Sequence, residues 1–344
     1  MPPVVLRNAP LRALNSFGID ARAALLVRVD DAADFPAALE AGSRAPSLRV
    51  LGGGSNVLFV GDFDGALIQV ATRGRRVVGP PGPVTCVEAE AGEPWDAFVR
   101  WTLAQGLIGL ENLSMIPGCV GASPIQNIGA YGVEMREVFD SLDALCLADG
   151  RQRTFGAAEC RFGYRDSVFK QAEAGRWLIT RVRFRLAREA ALHTDYGDLR
   201  AELVRAGVVR PDAAAVASAV RAIRSRKLPD PAVIGNAGSF FKNPVLPGAE
   251  AQAVIARAPQ MPAWPGDHGT VKLSAAWMID RCGWKGVREG DAGVHAAHAL
   301  VLVNHGHATG AQILALAERI RVSVLETFGV ALEPEPSIIV GGSL

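Results

Sequence analysis

A 17-residue stretch from Ile116 to Gly132 constrains the fold of this chain more than any other segment. It holds four glycines and two prolines but no charged residue, whereas a structureless surface loop is normally more charged. Glycine has no Cβ, so a ligand can approach the peptide groups closely. The composition therefore predicts a long loop that wraps an extended ligand with many hydrogen-bonding groups, with a plain surface loop as the alternative.

A second glycine-rich segment, Gly52–Asn56, follows a predicted strand at Leu48–Leu51. A Rossmann dinucleotide site would need a third glycine where Val57 stands and a helix after the loop. Instead, the apolar run Val57–Val60 predicts another strand. A strand–loop–strand cradle for phosphate groups fits this pattern, and a tight turn without a ligand fits it equally well.

Apolar periodicity elsewhere predicts a mixture of strands and helices. The predicted strands are Ala24–Val29, Ser141–Leu147 and Trp177–Leu186, and the predicted helices are Phe35–Ala41, one that starts near Pro94 and ends at Gly106, Ala213–Arg226, and Ala311–Phe328 closed by Gly329. Strands and helices do not alternate regularly, so the pattern favours an α+β fold over a doubly wound parallel sheet.

Length and composition exclude several classes of protein. A chain of 344 residues suggests two or three domains. With 36 basic and 35 acidic residues, the net charge of +1 gives no field for attracting nucleic acid or anionic lipid. No apolar run approaches the roughly 20 residues that span a bilayer, and the start of the chain shows no secretory signal. The five cysteines form no C-x-x-C pair, which predicts neither a disulfide framework nor structural zinc and favours the cytoplasm.

Three segments place reactive side chains beside turns. Arg161–Ser167 offers guanidinium groups suited to carboxylate or phosphate, although an Arg–Asp surface pair is the simpler interpretation of that segment alone. In Gly235–Pro244, Ser239 stands between a glycine turn and two aromatic residues. This position suits either a proton donor or a serine that only stabilises the turn. The G-x-S-x-G elbow is missing, so serine-hydrolase chemistry is not expected. In Leu332–Pro336, two prolines restrict the backbone around Glu333 and Glu335. Such rigid placement suits a catalytic acid, and a solvated turn is the alternative interpretation.

Taken together, these motifs resemble those of the UDP-N-acetylenolpyruvoylglucosamine reductase (UDP-N-acetylmuramate dehydrogenase) family. The resemblance extends from Leu14 to about Glu335, and Tyr196–Leu199 looks like the inserted loop of a longer subfamily, whose tyrosine closes over the substrate. Five blocks in the right order carry it: Gly52–Asn56, Ile116–Gly132, Arg161–Lys170, Lys227–Pro231 and Gly235–Pro244.

This resemblance implies a three-domain α+β flavoprotein, with an FAD-binding part of the vanillyl-alcohol-oxidase (PCMH) type and an α+β substrate-binding domain. The expected boundaries are 1–72 and 73–226 for two FAD-binding subdomains, 227–335 for the substrate-binding domain, and 336–344 for a segment returning to the FAD-binding part. NADPH would reduce FAD and leave, and UDP-N-acetylglucosamine enolpyruvate would then enter the same pocket and be reduced to UDP-N-acetylmuramate for peptidoglycan synthesis. We expect a cytoplasmic monomer with no nucleic-acid or membrane partner.

The resemblance also implies roles for individual residues. Arg165 would stabilise negative charge on the substrate, Ser239 would donate a proton, and Glu335 would lie beside the substrate carboxylate, protonated or hydrogen-bonded to it. Tyr196, Lys227, Asn243 and His298 would bind the substrate, the first three at its diphosphate. The expected FAD-binding residues are Gly52, Gly53, Gly54, Ser55, Asn56, Pro117, Gly118, Gly121, Ala122, Ser123, Gln126, Asn127, Gly129 and Tyr131.

The chain departs from the family pattern at several of these positions. His298 stands where glutamine is frequent, Ala122 replaces a serine, and Pro336–Ser337 replaces a Val–Arg pair. Two other functions therefore stay open on the sequence alone. One is an FAD-dependent alcohol or sugar oxidase with the same cofactor fold, which leaves Ser239 and Lys227 unexplained. The other is a non-catalytic nucleotide-sugar sensor, which has no need of a proton donor.

Overall fold

The computed structural model describes residues 2–80 and 82–341. Met1 of the first expected domain, Pro81 of the second and residues 342–344 of the expected C-terminal segment lie outside the described residues. Within the described ranges, no helix has both the length and the apolar character needed to cross a membrane.

The first part of the chain forms a four-stranded sheet with one helix against it. Its elements are β1 Val4–Pro10, β2 Arg22–Val29, α1 Phe35–Ser43, β3 Leu48–Leu51, β4 Val57–Phe59 and β5 Phe63–Val70. The sheet order is β1-β2-β5-β3, with β5 parallel to both β2 and β3. The strands and the helix predicted here are confirmed. α1 buries Phe35, Ala38 and Leu39, as expected for a helix with one apolar face.

The second part forms a five-stranded antiparallel sheet in the order β11-β10-β12-β7-β6. Its elements are β6 Arg75–Val78, β7 Val84–Glu90, α2 Trp95–Ala104, β8 Gly129–Ala130, β9 Val133–Glu134, β10 Phe139–Cys146, β11 Gln152–Gly156, α3 Ala157–Cys160 and β12 Trp177–Ala187. Trp95 and Phe98 of α2 pack against Phe184 of β12, with ring centroids 5.8 and 5.3 Å away. The segment Ile116–Gly132 runs between α2 and β10, so a helix and a sheet hold its two ends.

A helix pair, α4 Gly197–Arg205 and α5 Ala213–Lys227, follows the second sheet. Leu199 and Leu203 of α4 bury against Val220 and Ile223 of α5. The expected loop at Tyr196–Leu199 is wrong beyond Tyr196, because the burial of Leu199 starts the helix at Gly197. α5 ends before Pro229, which cannot supply a helical N–H.

The last part contains small sheets and three helices. Its elements are β13 Gly235–Asn236, β14 Val245–Pro247, α6 Gly248–Arg257, β15 Ala263–Pro265, β16 Thr270–Leu273, α7 Ala275–Arg281, β17 Arg288–Glu289, β18 Ala292–Val294, β19 Leu302–Asn304, α8 Gly310–Phe328 and β20 Ser337–Ile339. Thr309 and Gln312 cap α8 reciprocally, and Gly329 ends it with φ of 70°. β20 pairs in parallel with β4, so Ser337–Ile339 contacts the first part of the chain.

One hydrophobic core joins the first and last parts. Phe17, Phe59, Phe240 and Leu332 belong to it, and Phe17 and Phe240 meet edge to face with centroids 6.2 Å apart. This core holds the two segments that carry Ser239 and Glu335. The α+β fold is thus confirmed, and the three domain boundaries stay a prediction.

Candidate active site

Both glycine-rich segments line a first cavity, together with residues of neighbouring strands and loops. It measures about 310 Å³ and begins where β3 ends, so the strand–loop–strand prediction for Gly52–Asn56 is confirmed. The predicted residues that line it are Gly52, Gly53, Gly54, Ser55, Asn56, Pro117, Gly121, Ala122, Ser123 and Gln126.

Close approach of main chain to main chain explains two of these glycines. A Cβ at Gly53 would lie 3.3 Å from the Cα of Gly118, so the two glycine loops touch through their backbones. Gly54 has φ of +64°, and a Cβ there would lie 1.9 Å from the carbonyl oxygen of Leu14. Side chains at these positions would displace the loops that line the cavity.

The hydrogen bonding of the first loop leaves donors for a ligand. The backbone N–H groups of Gly54, Ser55 and Asn56 donate to no acceptor within residues 2–80 and 82–341. Successive unpartnered amides in a glycine turn form a concavity that suits phosphate oxygens. The apolar surface from Leu51, Val57 and Ile128 suits a flat ring, so these residues fit a dinucleotide such as FAD.

The second cavity is larger, about 620 Å³, and more highly charged. The three expected catalytic residues, Arg165, Ser239 and Glu335, all line it. It adjoins the first cavity through residues that line both, namely Ser55, Asn56, Pro117, Gln126 and Ile128. A ligand of the first cavity and a ligand of the second would therefore meet along this shared wall.

Backbone pairing brings Ser239 and Glu335 together across nearly a hundred residues. The N–H of Glu335 donates to the carbonyl of Phe240 at 2.8 Å, and the N–H of Lys242 donates to the carbonyl of Glu333 at 3.0 Å. The N–H of Phe240 donates to the carbonyl of Leu300 at 2.7 Å. Ser239 and Glu335 thus stand on neighbouring extended segments, anchored by the buried ring of Phe240.

Arg165 reaches this pair from the second sheet. It sits in a tight turn between Gly163 and Asp166 with φ of +52°. Its Nη2 donates to the carbonyl of Gly129 at 2.7 Å, and its Nε lies 3.3 Å from Oε1 of Glu335. The carbonyl contact and the carboxyl contact fix the plane of the guanidinium, which can present its remaining N–H groups to an anion.

The Glu335 carboxyl is largely shielded from water, with 15% of its side chain exposed. Burial raises the pKa of Glu335 above its usual range, and the cations of Arg165, Lys170 and Lys242 oppose that rise without cancelling it. Gln126 Nε2 lies 3.4 Å from Oε1 of the same carboxyl, and Asn56 Nδ2 donates to Gln126 Oε1 at 3.0 Å. The side chain of Glu335 is therefore linked by hydrogen bonds to the loop of the first cavity.

The four expected substrate-binding residues lie outside the set that lines the second cavity. Lys227 Nζ donates to Asp198 Oδ2 at 2.5 Å, and the Tyr196 ring meets the Tyr131 ring edge to face at 5.6 Å. The amide oxygen of Asn243 accepts from the N–H of Ala275.

His298 is half-buried, and its Nδ1 accepts from the N–H of Leu300 at 3.3 Å. Burial, with the nearby charge of Lys227, lowers the pKa of His298. The expected contacts of Lys227 and His298 with the diphosphate stay predictions.

Four expected FAD residues lie elsewhere than on the wall of the first cavity. Gly118 only backs it, and Gly129 lines the second cavity. Asn127 is fully buried, with Nδ2 donating to Glu134 and to the carbonyl of Gly163, which fixes the loop. Tyr131 packs on Tyr196. Their role in FAD binding stays a prediction.

Three cationic residues that line the cavities were missed, namely Arg49, Lys170 and Arg224. Arg224 lines the second cavity and Lys170 the first, and burial lowers the pKa of each. Arg224 precedes Lys227 by one helical turn on α5, which is the only sequence signal for it. Lys170 closes the Arg161–Lys170 block, but nothing in that block shows which way the side chain points.

Comparison with known proteins gives two family matches. Residues 230–339 match the C-terminal domain of UDP-N-acetylenolpyruvoylglucosamine reductase, and residues 23–156 match an FAD binding domain. The reductase of Pseudomonas aeruginosa is 55% identical over 332 residues, covering 96% of this chain and 98% of that protein. The reductase of Chromobacterium violaceum is 55% identical over 336 residues, with the same coverage. The crystal structure of the Thermus caldophilus reductase superposes with a TM-score of 0.65 at 25% identity, covering 98% of this chain and 99% of that one.

Proposed function

This chain belongs to the UDP-N-acetylenolpyruvoylglucosamine reductase family, and from that premise we propose which of its residues carry out the reaction. It is an FAD-dependent oxidoreductase that uses NADPH to reduce UDP-N-acetylglucosamine enolpyruvate to UDP-N-acetylmuramate in peptidoglycan synthesis. The FAD-binding part is of the expected PCMH type. The oxidase and the sensor are not favoured.

The glycine-rich loops of the first cavity would hold the cofactor. The open amides of Gly54, Ser55 and Asn56 suit its diphosphate, and the apolar surface around Ile128 suits its ring system. When bound, FAD supplies a two-electron carrier between NADPH and the enol ether. Because Asn56 and Gln126 line both cavities, the cofactor would contact the second cavity directly.

Arg165 and Glu335 would bind the carboxylate of the substrate. Addition of hydride to an enol ether places negative charge on the adjacent carbon and its carboxylate, and the guanidinium of Arg165 stabilises that charge. A charged Glu335 would repel it. The burial that raises the pKa of Glu335 favours a protonated carboxyl, which donates a hydrogen bond to the substrate carboxylate instead.

Ser239 would supply the proton that completes the reduction. A serine hydroxyl is a weak acid, so it can protonate only a strongly basic carbon, and it needs a proton returned from behind. The backbone bond between Glu335 and Phe240 keeps the Ser239 segment beside the carboxyl. The single observation that carries this proposal is that Arg165, Ser239 and Glu335 line one cavity, with Arg165 Nε 3.3 Å from Glu335.

The substrate and NADPH would use this second cavity in turn. Tyr196, Lys227, Asn243 and His298 would bind the diphosphate that both ligands contain. The free thiols of Cys86, Cys119, Cys146, Cys160 and Cys282 support a location in the reducing cytoplasm. The monomeric state stays a prediction.

Replacement of Ser239 by alanine tests the assignment by separating the two half-reactions. With the flavin-loaded protein under anaerobic conditions, NADPH should reduce Ser239→Ala as fast as the wild type, because the hydroxyl has no part in that step. Addition of the enolpyruvyl substrate should then restore the oxidised flavin absorbance about 10²–10⁴ times more slowly than in the wild type.

Ser218→Ala is the matched control, since Ser218 is exposed on α5 and donates only to the carbonyl of Ala214. Reoxidation of Ser239→Ala at the wild-type rate would remove Ser239 as the proton donor.

A further inference from the structure

Arg224 of α5 reaches the second cavity between two fixed contacts. Its Nε donates to the carbonyl of Met115 at 3.2 Å, and its guanidinium lies beside the hydroxyl of Tyr131. Met115 is itself held with φ of +62°, because its N–H donates to Asp96 Oδ1 at 2.7 Å. The position of Arg224 is therefore set by its surroundings, as expected of a side chain that binds a ligand.

The charge of Arg224 is not neutralised by the protein. Its neighbours on α5, Arg221 and Arg226, form ion pairs with Asp96 and Glu202. No carboxylate in the described part of the chain forms an ion pair with Arg224, and burial disfavours its charged form. A half-buried, unpaired guanidinium on a cavity wall is stabilised by an anion.

The neighbours of Arg224 indicate which anion. Lys227 lies three residues later on α5, on the same side of the helix as Arg224. Tyr131, which contacts Arg224, meets the ring of Tyr196 at 5.6 Å. The two residues proposed above to bind diphosphate are thus each adjacent to one member of the Tyr131–Arg224 pair.

We propose that Tyr131 and Arg224 form a second half of the diphosphate site, shared by the nucleotide sugar and NADPH, and that Tyr131 serves this site rather than FAD. The proposal rests on the proposed function of Lys227 and Tyr196. Arg224 would offer two parallel N–H donors to phosphate oxygens, and the Tyr131 hydroxyl would add a third donor while it holds the guanidinium.

Titration of the flavin-loaded protein with UDP and with NADP⁺, followed by flavin absorbance, tests this proposal. Both ligands contain a diphosphate and lack the enolpyruvyl carboxylate. Arg224→Met should weaken the binding of both by about tenfold, since a charge-assisted hydrogen bond is lost. Tyr131→Phe should weaken both by about threefold, the net loss of a neutral hydrogen bond. Arg224→Lys, which keeps the charge without the planar fork, should restore part of the affinity.

Arg226→Met is the matched control, because it removes the same charge from the same helix at an exposed residue that does not line the cavity. It should change either affinity by less than about twofold. Unchanged UDP and NADP⁺ binding in Arg224→Met, or loss for one ligand only, would overturn the proposal. Lys227→Met distinguishes a failure of this proposal from a failure of the proposed function. If neither Lys227→Met nor Arg224→Met changes UDP binding, the assignment of the diphosphate site is wrong. If Lys227→Met weakens UDP binding and Arg224→Met does not, only the role of Arg224 is wrong.

Discussion

The first cavity includes two glycine-rich loops whose backbones touch, whereas the charged groups of the second are side chains from distant parts of the sequence. Gly52–Asn56 and Ile116–Gly132 give the first cavity its amides and its close backbone contacts. In the second, Arg165 comes from the turn before β12, Arg224 from α5, and Glu335 from the segment before β20. The difference teaches that one cavity depends on backbone conformation and the other on charge and protonation.

This contrast determines how substitutions should act. In the first cavity, a single added carbon can displace the loops, since a Cβ has no room between the backbones. In the second cavity, an isosteric change that alters only charge should be tolerated by the fold and should change how the protein responds to pH. A substitution that changes volume or charge at a cavity is therefore best compared with the same kind of substitution at an open or exposed position.

The largest effect is expected for Gly54→Ala. Alanine at this position would have to adopt φ of +64°, which is unfavourable for a residue with a Cβ. Its Cβ would also lie 1.9 Å from the carbonyl oxygen of Leu14, so either the loop or the Leu14 segment must move. We expect the free energy of unfolding in urea to fall by about 4 kcal/mol or more, together with loss of bound FAD.

Gly61→Ala is the control for this substitution, because Gly61 has open space around it and should change stability by no more than about 0.5 kcal/mol. A Gly54→Ala protein that unfolds like the wild type and retains FAD would break the comparison, since the first cavity would then not depend on the bare backbone.

The same contrast explains what the sequence could predict. Glycines between two apolar runs give a strand–loop–strand signal within a few residues, so β3, β4 and the loop between them were predictable. The same holds for α8, whose apolar stripe and terminal Gly329 are local features.

The placement of Ser239 and Glu335 on neighbouring segments depends on the backbone pairing of Glu335 with Phe240, residues far apart in sequence, and only the family resemblance predicted that Ser239 and Glu335 share a site. Local pattern also cannot show which face of α5 borders a cavity, so Arg224 was missed. The loop expected at Tyr196–Leu199 became mostly helix, because Leu199 finds a buried place against α5 that the sequence alone does not reveal.

Glu335→Gln sharpens the comparison through pH. Burial raises the folded-state pKa of Glu335 above its ordinary value of 4.5, so the native state binds a proton that the unfolded state releases. The stability that this proton supplies is fully present below pH 4.5 and is lost as the pH rises through the raised pKa. Glutamine keeps the neutral shape at every pH, so its melting temperature relative to the wild type should be higher at pH 8 than at pH 4, by on the order of 2 °C.

Glu333→Gln removes the same charge two residues away from an exposed side chain and controls for net charge. If the melting-temperature difference between Glu335→Gln and the wild type stays constant from pH 4 to pH 8, burial is not the dominant influence on the pKa of Glu335.

The smallest effect is expected at His298, where the chain departs from the family pattern. Burial and the charge of Lys227 lower the pKa of His298 below 6.5, so the ring is neutral at pH 7.5. Its Nδ1 accepts from the N–H of Leu300, which leaves the proton on Nε2 as a neutral donor. Glutamine also offers a neutral N–H donor, so His298→Gln should change UDP affinity at pH 7.5 by less than about twofold.

At low pH the wild type and His298→Gln should differ in UDP affinity. Protonation of His298 adds a cation that glutamine cannot supply, and a bound diphosphate favours the protonated ring. UDP affinity of the wild type should therefore rise more between pH 7.5 and pH 5.5 than that of His298→Gln. His295→Gln is the control, since the Nδ1 of His295 accepts from Ala297 in the same kind of turn. If His298→Gln and the wild type gain equally at low pH, His298 does not face the diphosphate. The contrast between the two cavities then rests on the charged residues that line the second one, Arg165, Arg224 and Glu335.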